Sequence, residues 1–175
     1  MVKRIPNSRS LVILGTIDAE TSTATIIELL SLANEGDDDI TIYINSPGGS
    51  VVDGLAIYDT MNLIKPKVST IVIGLAASMG SFLSSSGTKG MRYALPNSEF
   101  VIHQPLGGIN VSQQTDVQIL ADNMKKTREK LEKILSENTG KDIKTIHKDC
   151  ERDKYLSAQE ALEYGLIDKI IDKKQ

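Results

Sequence analysis

The chain is short of the residues that mark many specialised chemistries. It has one cysteine, no tryptophan, two phenylalanines and two histidines in 175 residues. A lone cysteine, Cys150, excludes an intrachain disulfide and fits a reducing compartment. Its neighbours are charged, so it reads as a bystander thiol. There is no basic excess: 20 Lys and Arg against 23 Asp and Glu give a formal net charge of −3. Neither nucleic acid nor a membrane surface is therefore an expected partner. No stretch approaches the roughly 20 apolar residues of a membrane span. Residues Met1 to Pro6 lack the apolar core of a signal peptide, so the cytoplasm is the expected compartment. Linkers, repeats and low-complexity tracts are missing too, and the length suits one domain.

What is present is a regular alternation of apolar runs and amphipathic segments. Leu11 to Leu14, Ile40 to Ile44 and Val68 to Gly74 read as strands. Asp18 is placed to cap a helix over about residues 20 to 34, with Ile26, Ile27, Leu29, Leu30 and Ala33 as its apolar face. A second helix runs from the Asn45-Ser46-Pro47-Gly48-Gly49 turn to about Ile64, and a third from Ser78 to Ser86. Met91 to Leu95 and Phe100 to His103 are short strands. This order predicts an α/β domain with a mainly parallel sheet. From about Gln113 to Asn138 runs one long helix, either covering the sheet or projecting toward another subunit. Ser157 and Glu160 form a capping box, and Leu166 to Ile171 is a last strand.

Three segments could carry chemistry. Two histidines leave two candidate bases. His147 lies in a charged helical stretch, whereas His103 ends an apolar strand, where α/β folds place site residues. Ser78 lies in Ala76-Ala77-Ser78-Met79-Gly80 between a strand and a helix, which is similar to a nucleophile elbow with Ala76 in place of the first glycine. A serine there is also a natural helix cap. Ser46-Pro47-Gly48-Gly49 lets the backbone approach a ligand, and the N–H groups of Gly49 and Met79 are the pair best suited to an oxyanion. It is not a P-loop, since no Gly-Lys-Ser/Thr follows. An acid must come from 23 carboxylates, and spacing does not choose among them.

Taken together, Ile44 to Gly49, Ala76 to Gly80, Ile102 to Gly108 and Glu151-Arg152-Asp153 resemble, in order and spacing, the ClpP family, the proteolytic subunits of ATP-dependent Clp proteases. The resemblance covers about Leu11 to Ile171, with residues 1–10 as a short N-terminal segment and 11–175 as one peptidase domain. It implies a crotonase-like α/β core, a βαβ spiral with a protruding helical handle at about residues 113–138. It implies Ser78 as nucleophile, His103 as general base and Asp153 as the acid of the triad, with Gly49 and Met79 as oxyanion donors. Strand edges near Ser50, Val51, Leu106 and Gly107 would bind an extended polypeptide, and Glu151 and Arg152 would couple ring pairing to triad alignment. The implied assembly is two stacked heptameric rings, homomeric or mixed with a paralogue, fed by a Clp-family AAA+ unfoldase. ATP use belongs to that partner, so neither a cofactor nor a metal is expected here.

The chain also departs from the family pattern. The segment before the first strand is short. Thr41 and Leu63 replace aromatic residues of the ATPase-docking groove, while Tyr43 and Tyr93 remain. One residue is added between Gly108 and Thr115. Two other readings compete: a crotonase-type acyl-CoA enzyme, which uses a similar oxyanion hole, and a non-catalytic ring subunit.

Overall fold

A computed structural model describes residues 1–108 and 112–172. The residue added between Gly108 and Thr115 falls in a stretch that includes 109–111, outside the described residues. The centre of the fold is a sheet of parallel strands: β2 (Ser10–Leu14), β3 (Ile40–Ser46) and β4 (Val68–Ala77), continued by β5 (Arg92–Ala94) and β8 (Lys169–Ile170). β6 (Glu99–Ile102) lies parallel to the far end of β4, and β7 (Lys154–Ser157) is antiparallel to β6. Alternation sets the faces: Ile40, Ile42, Ile44 and Ser46 of β3 are buried, while Thr41, Tyr43 and Asn45 are not.

Two strands were not expected. β1 (Val2–Arg4) pairs antiparallel with β2, and the Met1 ammonium bonds the Leu14 carbonyl at 2.8 Å. The segment before Leu11 is thus part of the sheet. β7 has only Leu156 buried, so it carries almost no hydrophobic signal. Conversely, the strand expected over Leu166 to Ile171 shrinks to Lys169–Ile170.

Helix α1 (Ala19–Glu35) is capped by Asp18, which accepts from the Thr21 N–H at 2.8 Å. Its buried face differs from the expected one. Thr21, Ser22, Thr25, Leu29 and Leu32 face inward, while Ile27 and Leu30 are 60% and 41% exposed. Hydroxyls are tolerated inside because each finds a carbonyl: Thr25 bonds Thr21, Ser22 bonds Asp53, and Thr21 bonds Thr16. α2 (Val51–Leu63) and α3 (Met79–Ser85) follow β3 and β4.

Helix α4 (Gln114–Thr139) has 26 residues, a length of about 39 Å. Residues 113–123 are exposed throughout, including Val117, Ile119 and Leu120. Only the second half packs, through Leu131, Ile134 and Leu135. The first half therefore projects from the body with an uncovered apolar side. α5 (Ile143–Asp149) and α6 (Ala158–Tyr164) complete the chain, and α6 opens with the Ser157–Glu160 capping box.

Arg92 fastens the near end of the sheet. This buried side chain donates to both Asp168 oxygens (2.8 and 2.6 Å) and to the carbonyls of Ser85, Asn138 and Gly165. One guanidinium thus joins β5 to the ends of α3, α4 and α6. Burial pushes the Asp168 carboxyl up, but the bonds from Arg92 and the Gly90 N–H outweigh it and hold the carboxyl below its ordinary range.

Candidate active site

Ser78 sits where β4 ends and α3 begins, at φ 54° and ψ −122°. A non-glycine residue at positive φ is uncommon and costs free energy, so the surrounding structure has to hold it there. The Ser78 N–H donates to the Val101 carbonyl at 2.9 Å, and its own carbonyl accepts from Phe82 at 3.0 Å. The side chain makes no capping hydrogen bond. That separates it from Asp18, Ser50, Asp142 and Ser157, whose side chains do cap helices. The hydroxyl is left available for something other than the helix.

The Gly48-Gly49 turn packs on this elbow. A Cβ at Gly48 would lie 2.6 Å from the Ser78 Cβ and 2.9 Å from the Met79 nitrogen. Gly48 also has φ 91°, so glycine is required there twice over. Gly49 is locked to Ile17: Ile17 donates to the Gly48 carbonyl, and Ser50 donates to the Ile17 carbonyl, both at 2.8 Å. Among the described residues the Gly49 N–H has no acceptor. Met79 opens α3, so its N–H has no helical one.

Strand register explains how three distant stretches meet. β6 pairs with β4 through Ala77 and Val101, and with β7 through Ile102 and Lys154. Extending the β6–β7 register by one residue sets His103 opposite Asp153. Ser78, His103 and Asp153 therefore stand at one edge of three adjacent strands. Ser78 and His103 line a common cavity with Val51, Met79, Phe82 and Cys150. His103 and Asp153 line a neighbouring groove of about 430 Å3 with Leu106, Glu151 and Arg152. His103, Gln104 and Pro105 line both.

Among the described residues no hydrogen bond joins Ser78, His103 and Asp153. The His103 Nδ1 lies 2.6 Å from the Gln104 carbonyl. A carbonyl only accepts, so Nδ1 carries the proton, and in the neutral ring Nε2 is left as the acceptor. That is the tautomer a general base needs. Cys150, on the cavity wall, is no rival nucleophile: burial, then Glu132 and Asp149, push its thiol up to about 12. His147, the other histidine, bonds Glu132 at 3.0 Å and lines neither the cavity nor the groove.

The model of the Clp protease family matches residues 1–174. The chain belongs to the Clp protease family. The ATP-dependent Clp protease proteolytic subunit of Streptococcus uberis is 52% identical over 174 residues, covering 98% of this chain and 89% of the relative. Its namesake from Streptococcus pyogenes serotype M5 is 51% identical over the same shares. The enzyme class expected from the sequence, a serine peptidase, is that of this Clp protease, and the mixed α/β architecture agrees with the family fold.

The remaining expected residues lie as follows. None of the four expected substrate-strand residues is in a strand. Ser50 caps α2, Val51 begins it, and Leu106 and Gly107 belong to the irregular stretch after β6. Leu106 is 82% exposed, and Gly107 faces Met124 of α4. The reason is local: the Ser50 N–H is already used by Ile17, and none of the described residues pairs with residues 105–107. Glu151 bonds Arg128 of its own chain at 2.9 Å, which holds its carboxyl below the ordinary range. Arg152 lines the groove beside Asp153. Arg128 and Gln104 escaped the sequence reading as site residues, because no pattern signals a bond between a long helix and a loop 24 residues earlier.

Proposed function

We propose that the chain is the peptidase subunit of a compartmentalised protease, cleaving unfolded polypeptides and short peptides through an acyl-enzyme. The observation that carries this is the uncapped Ser78 held at positive φ on a cavity shared with His103. Ser78 Oγ attacks the scissile carbonyl carbon, and its proton passes to His103 Nε2. Asp153, opposite His103 in the extended register, orients the base and stabilises the imidazolium. The oxyanion is met by the N–H groups of Gly49 and Met79. The amine leaves with the proton, and water, deprotonated by His103, releases the acid and restores the hydroxyl. No cofactor or metal takes part.

Extended substrate lies along Ser50–Val51 and Leu106–Gly107, reading main chain more than side chain. The projecting half of α4, with its uncovered Val117, Ile119 and Leu120, supports pairing with a second ring. The assembly is two stacked heptameric rings, uniform or mixed, with Glu151 and Arg152 at their junction. A Clp-family AAA+ ATPase feeds it in the cytoplasm. Among the described residues no helix is long and apolar enough to cross a membrane.

A fluorophosphonate with intact-mass readout, run beside native mass on the same sample, tests this. One adduct per subunit on the wild type and none on Ser78→Ala is the expected result. An adduct that persists unchanged in the variant would overturn the assignment.

A further inference from the structure

Arg128 lies where α4 changes from projecting to packed, and all three of its guanidinium nitrogens donate. Nε donates to Glu132 at 2.6 Å, Nη1 to the Gln104 side-chain oxygen at 2.8 Å, and Nη2 to Glu151 at 2.9 Å and the His147 carbonyl at 3.1 Å. Glu132 is itself buried, and its second oxygen faces His147 Nδ1. Gln104 is pinned from the other side as well. Its N–H donates to the Cys150 carbonyl at 2.6 Å and its side-chain amide to the Glu151 carbonyl at 2.9 Å. Its own carbonyl is the partner of His103 Nδ1.

A continuous chain of bonds therefore runs from α4 to the base: Glu132, Arg128, Gln104, His103. We infer that Arg128 is a positioning residue for the general base, acting through Gln104 to fix the place and the tautomer of the His103 imidazole. Arg128 is suited to this because a planar fork with several donors holds four partners in one geometry, which a lysine cannot do. Gln104 passes the restraint on because both ends of its side chain and its N–H are occupied. Its carbonyl cannot then drift from the ring. Arg128 touches no reacting atom, so its contribution is to geometry. The inference rests on the peptidase reading given above.

The test is steady-state peptide hydrolysis by the assembled full chain, with native mass and melting temperature on the same samples. Gln104→Met cuts the link while leaving every ion pair of Arg128 in place. Arg128→Met with Glu132→Gln removes the anchor without stranding a buried carboxylate. Each is expected to lower kcat by about 10–100-fold, the scale of a small misplacement of a reacting group, with KM within about twofold. The combined variant is expected to lose no more than the worse of the two, because both act through one link. An unchanged kcat in Gln104→Met, a raised KM at constant kcat, or losses that multiply in the combined variant would each overturn the inference alone. A wild type that neither cleaves nor takes the fluorophosphonate overturns the peptidase reading, and this inference with it.

Discussion

The two ends of β4 are fastened in opposite ways. Beside Thr70, Arg92 and Asp168 form a buried knot in which each donor has a carboxylate or carbonyl partner. Past Ala77, roughly 23 Å along the strand, Ser78, His103 and Asp153 stand together and share no bond among the described residues. The closed end uses its polar groups to fix three helix termini. The open end leaves a hydroxyl, a ring nitrogen and two amide donors free for a substrate. Stability and the proposed chemistry are thus separated along one strand, and α4 is bonded to the loop beside the open end.

The largest effects should appear at the open end without touching the fold. Ser78→Ala should lower peptide turnover by about 10^6-fold while leaving the melting temperature near the wild type, as read by fluorogenic peptide hydrolysis and calorimetry. A large loss of melting temperature would mean that the elbow is structural after all. Asp153→Asn should cost about 10^3–10^4-fold in kcat at constant native mass. A loss below tenfold would show that the Gln104 carbonyl suffices to orient His103, and that the acid belongs elsewhere.

At the closed end the order reverses, with stability moving. Asp168→Asn leaves the buried Arg92 charge without its partner and should cost about 3 kcal/mol at neutral pH, measured by urea unfolding. The Asp168 carboxyl is held below its ordinary range, so its contribution is full above about pH 4 and is lost as pH falls through the lowered value. The gap between variant and wild type should therefore narrow in acid. A gap that is independent of pH would refute the ion pair as its source. The smallest effect concerns Ser81, whose hydroxyl is the one buried side-chain polar atom without a partner among the described residues. Ser81→Ala should raise stability by about 1 kcal/mol in the same assay; a loss would reveal a bond to water or to a neighbouring subunit.

Much of this was legible in one dimension. β3 and β4 announce themselves by β-branched residues, and Asp18 and Ser157 mark helix starts by capping chemistry. The elbow is visible as a serine among small residues between a strand and a helix. The face of α1 was misread because Thr21, Ser22 and Thr25 look polar until their carbonyl partners are known. β7 was missed because an edge strand with one buried residue has no periodicity to read.

By itself the sequence determined the βαβ order, the elbow around Ser78 and the glycines beside it, since each depends on neighbours a few residues apart. Through family resemblance it also points to Asp153 as the candidate acid. Only the tertiary structure decided why Asp153 is beside His103, which requires the β6–β7 register, and why Arg128 reaches Gln104. Local pattern records steric and capping preferences of a chain segment. Contacts between segments far apart in the chain leave no such record, because any of many carboxylates or guanidiniums satisfies the same local rules.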